Sequence, residues 1–315
     1  PDVATTNFRR VTEDPAVNIV HICTPNHLHK DALLSAMRHQ KHIYCDKPLT
    51  ATMAEAEQVR AALPEYRGVA QMTFQNRFYA ATLRARQLVD EGFLGQLLQF
   101  RAAYLHGSSA DPNAPLKWKL TTAAGGGVIA DLATHVLDLV EHLLGPIRSV
   151  LGETHIAFPR RPSPSNAAQR LPVDAEDAVT VIVRLANGAL GVIEATKLAA
   201  GSEDELRLEA HGSGGAIRFN GMDPHHLEVY RAAEADRPLG GMRGWTRIDC
   251  GARYLPPDTQ FPTPKAAVGW LRSHVACLAN FLQCVAAGKP AEPGLEQGIR
   301  VQRLMECIRT SAAQR

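Results

Sequence analysis

The first quarter of the chain alternates two hydrophobic periods, and that alternation limits the fold more than any other feature. Asn18-Ile-Val-His-Ile-Cys-Thr24 is a nearly continuous apolar run rich in β-branched residues, the pattern of a strand covered on both faces in a parallel sheet. Ala32, Leu33, Ala36 and Met37 then recur at helical spacing, and His42-Ile-Tyr-Cys45 makes a second short strand. Thr52 and Glu55 form a capping box that opens a helix to about Leu63, and Gly68 to Phe74 reads as a third strand. This βαβαβ rhythm predicts a doubly wound α/β domain over residues 1–76.

Beyond Gln75 the pattern changes. The 315 residues exceed one ordinary domain of about 150, and residues 77–315 read as a second, α+β domain. A helix from about Tyr79 to Glu91 stops at Gly92, a strand runs from Gly95 to Leu105, and a polar stretch without periodicity follows from His106 to Gly127. Ile129 to Leu144 is the strongest helix, ended by Gly145-Pro146. Val179–Leu185 and Leu190–Thr196 flank the hairpin turn Ala186-Asn187-Gly188, and Leu206–His211 and Ala216–Phe219 flank a second turn. The meander predicts a large, open, mostly antiparallel sheet. Two Pro-rich stretches, Phe158 to Pro172 and Tyr254 to Pro264, are expected as surface loops or lids, and helices Trp270–Ala287 and Leu295–Ala312 close the chain.

Composition removes several classes of function. With 45% apolar and 21% charged residues the chain buries a sizeable core, and a net charge of +2 gives no electrostatic reason to expect nucleic acid or an anionic membrane as partner. No apolar run is read as a membrane helix of about 20 residues. The six cysteines are scattered without a CxxC pair, several inside apolar runs, which predicts reduced thiols and a cytoplasmic protein. The chain opens on Pro1-Asp2, without Met, a basic n-region or an apolar h-region, so it is expected to begin inside a longer protein with no signal peptide.

Three segments carry chemistry. Thr24-Pro25-Asn26, flanked by His27 and His29, sits where a parallel strand gives way to a helix, the edge at which ligands bind in open α/β sheets; read alone, it is also a good turn and helix cap. Asp46-Lys47-Pro48 follows the next strand, so Lys47 stands at the same edge, where an ammonium group beside a reacting hydroxyl lowers its pKa; read alone, it is equally a solvated surface lysine. The third is a stripe of Asp131, His135, Asp138 and His142 along the helix 130–144, beside an apolar face of Leu132, Val136, Leu139, Val140 and Leu143. An acid and a histidine at i and i+4 suit general acid–base work. The same residues are also a possible metal set, and equally the solvated side of an amphipathic helix. Gly125-Gly126-Gly127 before the helix allows close backbone approach.

In order and spacing, "VHICTPNHLH", "HIYCDKPLT", "FQNRF", "FLGQLLQF", "WK" and "GGGVIADLATHVLDLVEHLLG" resemble the glucose-fructose oxidoreductase / inositol dehydrogenase / MocA family from about Thr5 to the C-terminus. The resemblance implies an incomplete Rossmann domain followed by an open-sheet α+β domain, NAD or NADP as cofactor, and a sugar, cyclic polyol or related hydroxy compound as small-molecule substrate. It implies Lys47, Asp131 and His135 as catalytic residues. Thr24, Pro25, Asn26, His29, Asp46, Lys47, Asn76 and Trp118 are implied at the cofactor, and Lys47, Arg77, Asp131 and His135 at the substrate. Asp46 replaces the family's usual glutamate. The family's glycine-rich fingerprint would precede Pro1, which puts roughly 60 residues outside this chain at about 30 per βαβ unit. No metal is expected. A homo-oligomer, dimer or tetramer, is expected through the open sheet. Two rival readings remain: a catalytically inactive cofactor- or sugar-binding regulatory homologue, and a metal-dependent hydrolase or lyase using Asp131, His135 and His142.

Overall fold

A computed structural model describes residues 4–251 and 269–314 of the chain; the Pro-rich stretch Tyr254 to Pro264 lies outside the described residues. After a single helical turn, α1 (Arg9–Thr12), β1 (Ile19–Ile22), α2 (His29–Arg38), β2 (His42–Cys45), α3 (Met53–Ala62) and β3 (Ala70–Met72) build a three-stranded parallel sheet in the order β1-β2-β3. Ile22, Ile43, Cys45 and Met72 are buried in it; β1 departs from the expected strand covered on both faces, because Val20 and Ile22 are buried while Ile19 and His21 are exposed. The capping box of α3 is present, with Thr52 Oγ1 accepting from the Glu55 N–H.

The second part begins with α4 (Ala80–Asp90) and β4 (Leu97–Leu105). A wide π turn, Ile129–Ala133, leads into α5 (Thr134–Leu144), and β5 (Ile147–His155) follows. Next come β6 (Arg160–Pro162), β7 (Arg170–Pro172), β8 (Ala178–Leu185), β9 (Leu190–Thr196), β10 (Glu205–Gly212), β11 (Gly215–Asn220), β12 (His226–Arg231) and β13 (Trp245–Asp249). The eight-stranded sheet runs β13-β12-β11-β10-β4-β9-β8-β5, antiparallel except between β4 and β9. Strands β8 and β9 alternate buried and exposed residues along their length, so one face meets the core and the other meets solvent.

The closing helices α6 (Trp270–Ala287) and α7 (Leu295–Ala313) return to the first sheet: α6 packs beside residues 75–78 and β2, while α7 touches α3, β3, α5 and β5. One contiguous apolar core therefore joins both sheets, from Val20 and Met72 to Val181, Ile193 and Ile308.

Two sequence expectations change here. Phe158 to Pro172 is not a loose surface loop, because β6 and β7 pair within it and Arg161 is buried at 1% exposure. The stretch Thr122–Leu144, which the sequence did not mark as a span, is long and apolar enough to cross a membrane by length and composition, yet it is mostly buried inside this core.

Candidate active site

The carboxyl ends of β1 and β2 open onto a cleft, and local sequence sets its floor. Pro25 is held extended, and Asn26 opens one tight helical turn into α2. Asn26 Nδ2 donates to the Gly125 carbonyl at 2.8 Å, tying this turn to the glycine triplet. Gly125 has φ +74°, and a Cβ there would come within 3.0 Å of the Asn26 Cβ, so only glycine allows this approach. His29 does not line the cleft. It is 1% exposed, and its ring nitrogens lie 2.7 Å from the Thr24 carbonyl and 3.0 Å from the Pro48 carbonyl, so it staples the two turns together. Asp46 accepts from the Lys47 N–H at 3.1 Å and the Thr73 hydroxyl at 2.5 Å.

From this edge Lys47 reaches the π turn before α5. Its ammonium donates to the Asp131 main-chain carbonyl at 2.6 Å and lies 3.3 Å from Oδ1. Two further lysines converge on the same carboxylate: Lys119 at 2.9 Å from Oδ1 and Lys197 at 3.1 Å from Oδ2. Burial by itself would raise the Asp131 carboxyl, but Lys47, Lys197 and Lys119 hold it far below the ordinary carboxylate range. Lys197, 5% exposed in its side chain, is lowered by burial against the pull of Asp131.

His135 lies one turn beyond, at 4% exposure, with Phe74 and Tyr104 edge-on at 6.3 and 5.9 Å. Burial, and then the Lys47 charge, keeps the imidazole well below its ordinary value, so it is neutral at physiological pH. Asp131 does not orient it by a hydrogen bond: the carboxylate is spent on lysines, and the buried Nδ1 has no partner among the described residues. Ring packing holds the imidazole instead.

Two cavities meet at Lys47. The smaller, about 330 Å³, runs along the sheet edge past Thr24, Pro25, Asn26 and the glycines to Trp118. The larger, about 810 Å³, holds His135, Tyr104, His106, Lys197, Arg161 and His274. Asp46, Lys47, Trp118, Lys119 and Asp131 line both.

The stripe on α5 divides. Asp131 and His135 face the larger cavity, whereas Asp138 takes a two-pronged ion pair from Arg77, with Nη2 at 2.5 Å and Nε at 2.7 Å, and His142 Nδ1 lies 3.3 Å from Arg77 Nη1. Gln297 Nε2 donates to the same carboxylate at 3.3 Å, tying in α7. Arg77 is thus taken out of the substrate contacts expected for it, because its donors are committed to a buried ion pair. Asn76 lines neither cavity; it is 3% exposed, its carbonyl accepts from the Thr82 hydroxyl at 2.7 Å, and it is Gln75 that reaches the larger cavity. Asp131, His135 and His142 do not form one ligand set, since Asp131 is ringed by ammonium groups and His142 sits beside a guanidinium. Among the described residues no three His, Cys, Asp or Glu side chains converge as metal ligands do.

Several lining residues escaped the sequence. Lys197 belongs to no motif, although it continues the inward parity of Gly191, Ile193 and Ala195 along β9. Tyr104 and His106, which both bind Asp204 Oδ1 (2.6 and 2.8 Å), share one strand face two residues apart.

The smaller cavity fits the nicotinamide end of a dinucleotide. It lies outside the carboxyl ends of parallel strands and combines the flat faces of Pro25 and Trp118 with amide and hydroxyl groups from Thr24 and Asn26. Among the described residues no glycine-rich turn joins a strand to a helix at this edge.

Residues 2–74 match the family model described as oxidoreductase family, NAD-binding Rossmann fold, and residues 82–218 match the GFO/IDH/MocA C-terminal domain. Levoglucosan dehydrogenase of Pseudarthrobacter phenanthrenivorans is 33% identical over 323 residues, covering 98% of this chain and 82% of that protein. A solved structure of levoglucosan dehydrogenase in complex with NADH and levoglucosan superposes with a TM-score of 0.91 at 33% identity, over 98% of this chain and 82% of that one. The scyllo-inositol 2-dehydrogenase (NAD(+)) of Bacillus subtilis is 29% identical over 223 residues, 70% of this chain and 60% of that protein. On this sequence and structural agreement, the chain belongs to the GFO/IDH/MocA family of NAD-binding oxidoreductases.

Proposed function

We propose that Lys47, Asp131 and His135 catalyse the interconversion of a secondary hydroxyl and a ketone on a sugar or cyclic polyol, with NAD or NADP as cofactor. One observation carries this reading: an ammonium group and a neutral imidazole open onto one cavity that continues into a cleft at the carboxyl edge of the parallel sheet. The naming of relatives as levoglucosan and scyllo-inositol dehydrogenases supports the substrate class.

Thr24, Pro25, Asn26 and Trp118 hold the nicotinamide end, which when bound supplies or accepts the hydride at the carbinol carbon. His135 takes the hydroxyl proton, a role open to it because burial keeps it unprotonated. Lys47 donates to the same oxygen and stabilises the negative charge that grows there as the proton leaves. Asp131 holds Lys47 in place through its main-chain carbonyl and carboxylate. The domain boundary near residue 76 then separates cofactor-binding from substrate-binding residues.

Leu151, Ile182 and Val192 pair in register across β5, β8 and β9 on the outer sheet face, and each is about 40% exposed. This apolar row supports a homo-oligomer assembled through the open sheet. We also place the protein in the cytoplasm, a reading supported by six free cysteines.

The test is NADH or NADPH formation by the purified protein on levoglucosan, scyllo-inositol, myo-inositol and D-glucose. Lys47→Met and His135→Asn are each expected to lower kcat by about 10²–10³-fold. Wild-type turnover in both variants would overturn the assignment.

A further inference from the structure

The larger cavity carries more positive charge than the family chemistry requires. Five basic side chains line it, Lys47, Lys117, Lys119, Arg161 and Lys197, against three acidic ones, Asp46, Asp131 and Asp204. Three of the lysines share the single Asp131 carboxylate.

Arg161 is the most telling of the five. It is 1% exposed, and among the described residues no carboxylate lies within ion-pair distance of it. Its Nη1 and Nη2 donate to the carbonyls of Asp111 and Ser109, both at 2.6 Å, while Nε is buried without a partner. The guanidinium also lies 5.2 Å from the Phe158 ring centroid. Neutral carbonyls and an aromatic face solvate the cation but do not cancel its charge, and a buried charge is costly without a counter-ion. Arg161 is joined to Lys197 through one residue: Ser109 gives its carbonyl to Arg161 and its N–H to the Lys197 carbonyl at 2.8 Å. The unbalanced charge is therefore built into one wall of the cavity.

We infer that this cavity takes a polyol bearing an anionic group, a sugar acid or sugar phosphate, in preference to a neutral sugar. The anion lies against the wall formed by Lys119 and Lys197, with Arg161 adding its field from behind. Lys119 is the reachable contact, since 46% of its side chain is exposed. A cavity of about 810 Å³ accommodates a hexose-sized ligand.

The inference rests on the sugar-oxidoreductase reading, so binding and turnover are measured separately. Trp118 and Trp270 both line the cavity and report binding by intrinsic fluorescence. D-Gluconate, D-glucuronate, D-glucose 6-phosphate, D-glucose and myo-inositol are titrated onto the purified protein at low and high NaCl. At least one anionic probe is expected to bind about tenfold more tightly than its neutral counterpart, with the preference shrinking in high salt. Lys119→Gln, on a half-exposed side chain that does not support the fold, narrows the anion-to-neutral ratio, as does Arg161→Gln where it folds. Whichever of gluconate, glucuronate and glucose 6-phosphate binds best separates carboxylate from phosphate recognition. Neutral probes binding as well as all the anions, no anion binding, or a ratio untouched by Lys119→Gln would each overturn the inference. Neutral polyols oxidised with no preference for anions would remove it and leave the activity standing. Anions bound but never oxidised, with either NAD or NADP, would instead remove the activity and leave the charge selectivity.

Discussion

Asp131→Asn takes one negative charge from between three ammonium groups and leaves the shape of the side chain nearly intact. The three contacts are unequal. Lys119 is 46% exposed, so losing its pair costs about 0.5 kcal/mol. Lys47 keeps its 2.6 Å bond to the main-chain carbonyl, which the substitution does not touch. Lys197 is different: 5% of its side chain is exposed and the Asp131 carboxylate is its ion-pair partner, so the substitution strands a buried cation at a cost of about 3–5 kcal/mol. For a chain of 315 residues the shift is roughly 1.5 °C per kcal/mol, so the melting temperature falls by about 6 °C.

A second substitution separates this account from a general loss of packing. Lys197→Met, introduced into the Asp131→Asn protein, replaces the stranded ammonium with an apolar chain of similar length. Most of the lost stability returns, giving a coupling of about 3 kcal/mol in the double-mutant cycle. Turnover does not return, because Lys47 still lacks the carboxylate that steadies it. Thermal and guanidinium denaturation of the four proteins, with kcat for each, are the measurements. A melting temperature for Asp131→Asn within about 2 °C of the parent, or no rescue by Lys197→Met, would refute the reasoning.

Three further outcomes are expected. Burial, and then Arg77 and Arg86, push His142 down to about 3, and His135 is also held well below 6.5, so between those values and 6.5 the unfolded chain binds protons that the folded chain refuses. Stability is therefore full above pH 6.5 and falls as pH drops, by about 2 kcal/mol between pH 7 and 5 from His142, with His135 acting in the same direction; equal denaturation midpoints at the two pH values would contradict this. Gly127→Ala destabilises by about 2 kcal/mol or more, because φ is +102° and the new Cβ would come 2.3 Å from Glu176 Oε1, which caps the Ile129 N–H; an unchanged melting temperature would count against it. Ile182→Asp places a charge in the middle of the exposed apolar row and is expected to dissociate the oligomer in sedimentation velocity, an idea lost if the parent already sediments as a monomer.

The elements that sequence made legible are those whose pattern is set by their own burial. β2 is covered on both faces and β1 buries Val20 and Ile22 on one, the 178–196 hairpin carries its turn in Asn187-Gly188, and the lysine before Pro48 stands at the end of a readable strand. The insertion of β4 between β9 and β10, parallel to one and antiparallel to the other, left no such mark, because strand order depends on partners about 90 to 115 residues away.

The site shows the same division more sharply. An ideal helix puts Asp131, His135, Asp138 and His142 on one stripe, and the stripe is real, but a helical wheel does not say what each end of it meets. The cavity end meets Lys47, Lys119 and Lys197, and the other end meets Arg77 and α7. The i,i+4 carboxylate and imidazole consequently part company: one becomes an anchor for cations and the other a neutral imidazole held by aromatic rings. The two cations that lie deepest in the cavity wall were hidden for opposite reasons. Arg161 sits in a Pro-rich stretch whose composition argues for exposure, while Lys197 follows a strand whose parity already points it inward. An inward parity at a lysine is itself a signal, because a buried ammonium is costly unless a carboxylate meets it. In this chain that carboxylate is Asp131, so parity along β9 would have led from the sheet to the candidate active site without any motif.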